Sequence, residues 1–255
     1  MELKTLLITQ ARFSSTRLPG KVLKKIDGKF LLQIHLERIR QAKKVSDILV
    51  ATTTNPEDYF IFEKSIEWGF KSYRGSENDV LDRFYQAAKP FSPNWIVRVT
   101  SDCPLLDPAL IDHVIEFVQK KEVDYGSNII IEHFPDGQDI EVFTFAAVEK
   151  AWKNATKNSE REHVTPYIKN NSSELGGSIF TSVNYPCNAD FSKIRMTVDE
   201  ERDFKLIEKL INDLGMYKSW TEYTEYMINN GLISLNQDIN RNDGYLKSLK
   251  NDNNG

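Results

Sequence analysis

Short apolar runs alternate with amphipathic stretches along the first 120 residues. The runs TLLIT, DILVATTT, FKSYR and WIVRVT have the length and composition of buried strands. Between them, FLLQIHLERIRQA, EDYFIFEKSIEW, NDVLDRFYQAA and DPALIDHVIEFVQKK place apolar residues on one helical face. Turn and cap signals mark the boundaries: Asn55-Pro56 and Gly69 around the second helix, Asn78 or Asp79 before the third, and Asp107-Pro108 before the fourth. This order predicts an α/β fold with a doubly wound, mainly parallel sheet.

The pattern changes after position 120. DYGSNII, IEVFTF, GSIFTSV and IRMTV are separate strand candidates, and a capping box from Ser159 to Glu162 predicts a helix in SEREHVTPYI. DEERDFKLIEKLINDL is a long amphipathic helix. We therefore expect a single domain over residues 1–235 with an inserted β-rich segment at about 125–190. The polar tail, residues 236–255, is expected to be frayed and to contribute little.

Composition narrows the class of protein. The chain has 255 residues, 40% of them hydrophobic and 27% charged, which is typical of a soluble globular protein. Its net charge of −4 argues against a general nucleic-acid binder. No stretch approaches the ~18 consecutive apolar residues of a membrane span, and the N-terminal run lacks the cleavage site of a signal peptide. Cys103 and Cys187 lie too far apart to suggest a disulfide framework, so we expect a cytoplasmic protein without membrane partners.

The loop ARFSSTRLPGKVL, residues 11–23, follows the first predicted strand and is rich in cations and hydroxyl groups. Its candidate phosphate-binding residues are Arg12, Ser14, Ser15, Thr16, Arg17, Gly20 and Lys21. Ligands of open α/β sheets bind beyond the carboxyl ends of the strands, and these groups together suit a polyphosphate. A solvated basic loop that caps the next helix is the alternative. The loop is not a P-loop, because Val22 follows Lys21, and it lacks the glycines of a dinucleotide fingerprint.

Two aspartates also follow predicted strands: Asp102 comes after WIVRVT and Asp199 after IRMTV. At the carboxyl ends of parallel strands both lie at the edge that carries the loop, and Mg²⁺ takes one or two carboxylates together with phosphate oxygens and water. Taken singly, Asp102 also fits a turn residue and Asp199 a helix N-cap; together with the loop they predict a metal site. Cys103 shows neither the basic partner of a nucleophile nor zinc-ligand spacing, so we interpret it as a buried thiol.

The loop contains R-x-x-S-T-R-L-P-G-K, which resembles the signature of the cytidylyltransferases that activate acidic sugars, the 3-deoxy-manno-octulosonate and N-acylneuraminate enzymes. It resembles most the related spore coat polysaccharide biosynthesis protein F group. The blocks GSENDVLDRFYQAA, RVTSDCPLLDP, GQDIEVF, SEREHVTPYI and MTVDEERDF resemble that group's in the same order, over about residues 1–215. The chain departs from the octulosonate branch in one turn, with Ser101-Asp102-Cys103-Pro104 in place of Gly-Asp-Glu-Pro. This departure weakens the transfer of an acidic-sugar acceptor.

The resemblance implies a Rossmann-like domain similar to the nucleotide-diphospho-sugar transferases, CTP as donor, and a dimer contact in the inserted segment. It assigns Asp102 and Asp199 as metal ligands. Beyond the loop, it places three residues near the nucleotide: Arg74, Ser76 and Ser101. It places four near the acceptor: Asp139, Glu141, Arg161 and His163. The first two share one face of a strand. The last two are separated by about 200 degrees on a helix, so one of them should face the cleft while the other packs.

We therefore predict a Mg²⁺-dependent cytidylyltransferase that transfers CMP from CTP to an acidic sugar, a sugar phosphate or a related phosphorylated acceptor. It releases pyrophosphate, serves surface polysaccharide biosynthesis and forms a homodimer. The predicted catalytic residues are Arg12, Lys21, Asp102 and Asp199, which act by charge stabilisation and positioning. A glycosyltransferase with a nucleotide-sugar donor is the main alternative, and a non-catalytic nucleotide sensor is the second.

Overall fold

Nine strands and ten α-helices form within residues 4–253, the part of the chain that the computed structural model describes. The strands are β1 (Thr5–Gln10), β2 (Lys25–Ile26), β3 (Lys29–Phe30), β4 (Asp47–Thr53), β5 (Lys71–Gly75), β6 (Trp95–Thr100), β7 (Tyr125–Ser127), β8 (Glu141–Thr144) and β9 (Ser182–Asn184). The α-helices are α1 (Leu31–Ile39), α2 (Tyr59–Glu67), α3 (Val80–Ala88), α4 (Pro108–Lys121), α5 (Phe145–Asn154), α6 (Asn158–His163), α7 (Pro166–Asn170), α8 (Glu201–Leu214), α9 (Trp220–Asn229) and α10 (Asp243–Asn253).

Seven strands form one sheet in the order β5-β4-β1-β6-β8-β7-β9, and β2 and β3 form a separate hairpin. β5, β4, β1 and β6 pair in parallel, while β8 runs antiparallel to both of its neighbours. The predicted doubly wound, mainly parallel α/β fold is confirmed. Gln10, the last residue of β1, lies opposite Ala51 and Thr100 on the adjacent strands. The loops that follow β1 and β6 therefore leave the same edge of the sheet.

Alternating strand residues bury two apolar layers, one on each face of the sheet. Leu7 of β1 packs in the layer that contains residues of α1 and α4, and Leu6 packs in the opposite layer with residues of α3 and α5. A third cluster joins α8 and α9 to Met196 and Val198. This third cluster fixes the extended segment before Asp199 against the rest of the fold.

The segment at 125–190 contributes β7, β8 and β9 to the main sheet and also carries α5, α6 and α7. Two local predictions fail here and nearby. IRMTV forms no strand; of its residues, only Arg195 makes a bridge, with Asp136. The predicted capping box is displaced by two residues, because the N-cap of α6 is Lys157 and its backbone N–H donates to Glu160.

The polar tail is helical over Asp243–Asn253 rather than frayed. α10 packs against α6, and Asp252 accepts hydrogen bonds from the backbone N–H of Ser159. Polar side chains supply much of this attachment, which is why the composition concealed it. Residues 254 and 255 of the predicted tail lie outside the described residues. Within the described residues, every helix is too short or too polar to cross a bilayer.

Candidate active site

The loop after β1 turns back on itself at Gly20. This residue has φ +67°, and a Cβ there would lie 2.9 Å from the Phe13 ring. The Gly20 N–H donates to the Phe13 carbonyl at 3.0 Å, and the Phe13 N–H donates to Asp58 Oδ1 at 2.6 Å. Glycine is required here because a side chain would be strained by the left-handed backbone and would strike the ring. The turn brings Lys21, the next residue, into the cleft.

Lys21 joins the two candidate metal ligands. Its Nζ donates to Asp102 Oδ2, Asp199 Oδ1 and the Val198 carbonyl, each at 2.9 Å. Burial alone would lower the pKa of Lys21, but the two carboxylates outweigh burial and raise it. Burial would likewise raise the pKa of Asp102, yet the charge of Lys21 and hydrogen bonds hold it well below its usual range. Both aspartates therefore meet at one ammonium group that stays charged.

A buried histidine to which the sequence analysis gave no role forms a hydrogen bond to the turn that carries Asp102. His35 is fully buried on α1; its Nδ1 donates to the Cys103 carbonyl at 2.9 Å, and its Nε2 accepts from the Thr9 hydroxyl at 3.0 Å. Burial lowers the pKa of His35 to about 4. The ring is neutral and links β1, α1 and the turn after β6.

Asp199 is held by a buried arginine. Arg195 Nη2 donates to Asp199 Oδ2 at 2.8 Å, while its Nε donates to Asp203 Oδ1 at 3.0 Å. The backbone N–H of Asp199 donates to Asp203 Oδ2 at 2.9 Å. Asp199 is not the N-cap of α8, a position that Glu200 occupies. The missing strand does not displace it, because the Val198 N–H donates to the Asp102 carbonyl at 2.8 Å and places the two aspartates side by side.

Two cavities meet at these aspartates. The first, of about 610 Å³, is lined by the loop and by side chains beyond β5 and β6. The second, of about 480 Å³, lies toward β8 and α7. Eight residues line both cavities: Gln10, Arg17, Thr100, Asp102, His163, Asp199, Asp243 and Gly244. A group bound in one cavity therefore borders a group bound in the other at the aspartate pair.

Most of the predicted nucleotide-binding residues line the first cavity: Arg12, Ser14, Ser15, Thr16, Arg17, Lys21 and Ser101. Gly20, Arg74 and Ser76 are not among its lining residues. Arg74 donates to the carbonyls of Thr53 and Asn55 at 2.9 Å, and the Ser76 hydroxyl accepts from the Asp79 N–H at 3.0 Å. Arg74 and Ser76 therefore hold the backbone beside the cavity, but their side chains do not line it.

Arg83, which the sequence analysis overlooked, does line the first cavity, and it donates to the Ser76 carbonyl. Burial and the charge of Arg12 lower the pKa of Arg83 to about 10. Arg83 therefore adds a cation to those that the loop supplies.

The predicted acceptor residues separate into two groups. Asp139, Glu141 and His163 line the second cavity. Arg161 does not line either cavity: its Nε donates to both carboxylate oxygens of Asp79 at 3.0 Å, and its Nη1 donates to the Trp152 carbonyl at 2.8 Å. Arg161 thus ties α6 to the N-cap of α3 and to α5. On α6, His163 faces the cleft while Arg161 packs.

The second cavity contains both signs of charge. Glu141 pairs with Arg98 at 2.6 Å and accepts from the Tyr125 hydroxyl at 2.7 Å. Lys169, also missed from the sequence, lines the cavity and donates to the Ile129 carbonyl at 3.0 Å; among the described residues it has no acidic partner. Arg98 belongs to the block RVTSDCPLLDP, which assigned it no role, and Lys169 lies one residue beyond the block SEREHVTPYI, so no local signal marked either of them as a site residue.

The donor set fits Mg²⁺ only in part. Residues 4–253 contain no cluster of three or more His, Cys, Asp or Glu side chains that could hold a metal ion. Two carboxylates do converge at Lys21, and Mg²⁺ in nucleotide sites is commonly bound by one or two carboxylates with phosphate oxygens and water completing the shell. The pair therefore fits a magnesium ion that arrives with a polyphosphate rather than one bound by protein alone.

A mainly parallel sheet with a cationic loop and an acidic pair beyond its carboxyl edge is typical of α/β proteins that bind nucleotides. The family model described as "Cytidylyltransferase" matches residues 6–233. The chain belongs to this family and is a nucleotidyltransferase.

Two curated proteins and one solved structure show the extent of the similarity. An uncharacterized protein of Methanocaldococcus jannaschii is 46% identical over 213 residues, 82% of this chain and 83% of the relative. The spore coat polysaccharide biosynthesis protein SpsF of Bacillus subtilis is 33% identical over 216 residues, 82% of this chain and 87% of that protein. A cytidylyltransferase structure from Leptospira borgpetersenii has a TM-score of 0.84 and 31% identity, covering 94% of this chain and 100% of that one.

Proposed function

We propose that the protein transfers CMP from CTP to an anionic sugar or a related phosphorylated acceptor and releases pyrophosphate. The observation that carries the proposal is the junction of the two cavities at Asp102 and Asp199. A triphosphate in the first cavity brings its α-phosphate to this junction, and an acceptor in the second cavity approaches from the other side. In-line displacement at phosphorus needs this arrangement, with attacking and leaving oxygens on opposite sides.

The first cavity supplies the charge that CTP requires. Arg12, Arg17 and Lys21 neutralise the triphosphate, and the hydroxyl groups of Ser14, Ser15, Thr16 and Ser101 donate hydrogen bonds. Arg83 adds a further cation at the same wall. Arg74 and Ser76 act on the base indirectly, through the backbone that they hold. Fixed cations stabilise the charge of the transition state without reorganisation, and this is the main catalytic contribution that we assign to the chain.

Asp102 and Asp199 would hold Mg²⁺ together with phosphate oxygens. The ion would act as a Lewis acid at the α-phosphate and would offset the negative charge of the triphosphate. Lys21 keeps the two carboxylates at one point in the free protein, since its Nζ is 2.9 Å from an oxygen of each.

The second cavity suits a hydroxyl-rich acceptor that carries one anionic group. Asp139 and Glu141 present acceptors for sugar hydroxyl groups, and Lys169 supplies a cation without an acidic partner among residues 4–253. The similarity to the spore coat polysaccharide biosynthesis protein SpsF supports a role in the synthesis of surface polysaccharides.

We also infer a cytoplasmic homodimer. Ile131, Leu175 and Ile179, in the segment at 125–190, are 50%, 48% and 37% exposed, which supports an interface there. Cys103 and Cys187 are free thiols, in keeping with a reducing compartment. Light scattering coupled to gel filtration measures the mass directly, and a particle of about 29.4 kDa would contradict the dimer.

The test is pyrophosphate release from the purified protein with Mg²⁺, each of the four nucleoside triphosphates, and a panel of 3-deoxy-manno-octulosonate, N-acetylneuraminate and hexose 1-phosphates. We expect release with CTP and at least one acceptor, with a CMP-linked product in the mass spectrum. Asp102→Asn is the inactive control. If no combination of nucleotide and acceptor releases pyrophosphate, and the protein instead transfers sugar from a nucleotide-sugar donor, the protein is a glycosyltransferase and the proposal is wrong.

A further inference from the structure

The C-terminal segment, which we define as residues 236–253, is bound along the rim of the second cavity. Arg241 donates to the Phe134 carbonyl at 3.2 Å and to Asp139 Oδ1 at 2.5 Å. Asn242 donates to Glu132 at 2.9 Å. From there α10 runs to α6, where Asp252 accepts from the Ser159 N–H. The segment is therefore anchored at both ends to elements that border the cleft.

This segment also supplies surface to both cavities. Asp243 and Gly244, at the start of α10, line both of them. Tyr245 lines the second cavity, and Lys247 lines the first. The match to the family model ends at residue 233, so this part of the wall comes from beyond the shared family sequence.

α10 makes its most specific contact with His163, the histidine at the junction of the cavities. Ser248 Oγ lies 2.6 Å from Glu162 Oε2 and 3.0 Å from His163 Nε2. The serine has one hydroxyl proton, and it donates that proton to the carboxylate. His163 Nε2 therefore carries a proton and donates to Ser248, which leaves Nδ1 as an acceptor.

Two further observations define the state of this histidine. Burial lowers the pKa of His163 to about 4, so the ring is neutral near pH 7. The Tyr245 ring packs edge-on against the imidazole, with centroids 5.2 Å apart. α10 thus fixes both the tautomer and the plane of a ring that faces the proposed reaction centre.

We propose that α10 completes the acceptor site: Tyr245 forms part of the wall that contacts the acceptor, and Ser248 is a positioning residue that holds His163 with Nδ1 free to accept a hydrogen bond from an acceptor hydroxyl. The inference rests on the proposed function, since it assigns the second cavity to the acceptor. It extends that function by making residues beyond the family match determinants of acceptor affinity.

The test compares Ser248→Ala, Ser248→Thr and Tyr245→Ala with the matched control Lys250→Ala, an exposed position on the same helix. For each variant, KM for the acceptor and KM for CTP are measured by pyrophosphate release, and the CTP affinity is measured by calorimetry. We expect Ser248→Ala to raise KM for the acceptor about tenfold, the effect of one lost hydrogen bond, with CTP affinity unchanged within twofold. Ser248→Thr keeps the hydroxyl and should restore KM, and Lys250→Ala should match the wild type.

A His163→Gln variant and the double variant with Ser248→Ala separate positioning from general structural support. Because both changes act on one ring, their effects on KM for the acceptor should not add. Tyr245→Ala should raise the same KM several-fold, and it keeps the test open if Ser248→Ala fails to fold.

The outcomes separate the two proposals. A wild-type protein that releases no pyrophosphate with any acceptor overturns the proposed function, and this inference with it. An active wild type with unchanged acceptor KM in Ser248→Ala and Tyr245→Ala overturns the inference alone. Faster turnover in either variant also overturns it, because α10 would then obstruct the cavity rather than complete it.

Discussion

Replacement of His35 tests whether a buried neutral histidine supports the turn that carries Asp102. The ring donates to the Cys103 carbonyl and accepts from Thr9, and it is fully buried. A second proton would bind Nε2 and break the hydrogen bond from Thr9, while the bond to Cys103 would remain, and burial opposes the added charge. Folding therefore favours the neutral ring, and protonation in the unfolded chain opposes folding.

The expected size follows from the shift in the pKa of His35, from 6.5 to about 4. At about 1.36 kcal/mol per unit, this shift corresponds to about 3 kcal/mol of stability. Since the folded-state pKa lies below the unfolded one, the unfolded chain binds the extra proton between the two values. The contribution of His35 to the free energy of unfolding is therefore complete above pH 6.5 and is lost as the pH falls toward 4.

The assay is urea unfolding at several values between pH 7.5 and pH 4.5 for the wild type, His35→Gln and His113→Gln. His113 is exposed on α4 and serves as the matched control. We expect His35→Gln to be less stable at pH 7.5 but to lose about 2–3 kcal/mol less than the wild type on acidification. His113→Gln should follow the wild-type profile. The carboxylates titrate alike in both proteins, so a difference in pH dependence has to come from His35. Equal losses of stability on acidification in His35→Gln and the wild type would therefore refute the reasoning.

Three further changes test the charged centre and its loop. Asp102→Asn should lower kcat about a hundredfold or more without loss of fold, measured by pyrophosphate release and circular dichroism; near-full activity would remove it from the site. Arg195→Lys removes the hydrogen bond that Arg195 donates to Asp199. The Mg²⁺ concentration that gives half-maximal activity, and the one that gives half-saturation in calorimetry with CTP, should both rise about tenfold or more. An unchanged Mg²⁺ requirement would contradict a positioning role for Arg195. Gly20→Ala should lower both stability and CTP affinity. The control Gly28→Ala, at φ +76° with no atom near its Cβ, should cost only about 1 kcal/mol of stability. Equal effects of the two substitutions would show that the contact with Phe13 does not matter.

The first half of the fold was predictable because its elements are long and periodic. β1, β4 and β6 are apolar runs buried on both faces of the sheet. α4 begins at Pro108, and Asp107 caps it as the Asp-Pro pair predicted. Parallel pairing then places the loop and Asp102 at one edge. Asp79, one of the two N-caps considered for α3, accepts from the Asp82 N–H.

The remaining features depend on contacts between residues far apart in the chain. IRMTV has the composition of a strand, but most of it finds no partner strand, and Asp199 reaches the site through Val198 instead. His35 and Arg195 are isolated residues whose roles arise only from their buried partners. The attachment of α10 depends on Ser248 and Asp252, which look like ordinary surface residues in the sequence.

The pairing of Lys21 and Arg17 with the aspartates explains why an acidic chain concentrates cations in one loop. In the free protein, Lys21 binds both Asp102 and Asp199, and Arg17 binds Asp199 at 2.9 Å. Without these cations the two carboxylates would repel each other, and one of them would have to protonate or turn away. In the proposed reaction, the triphosphate would offer the cations new anionic partners, and Asp102 and Asp199 would be free to hold Mg²⁺. The exchange keeps every charge paired, so the site can be assembled before CTP arrives and needs little rearrangement once it has bound.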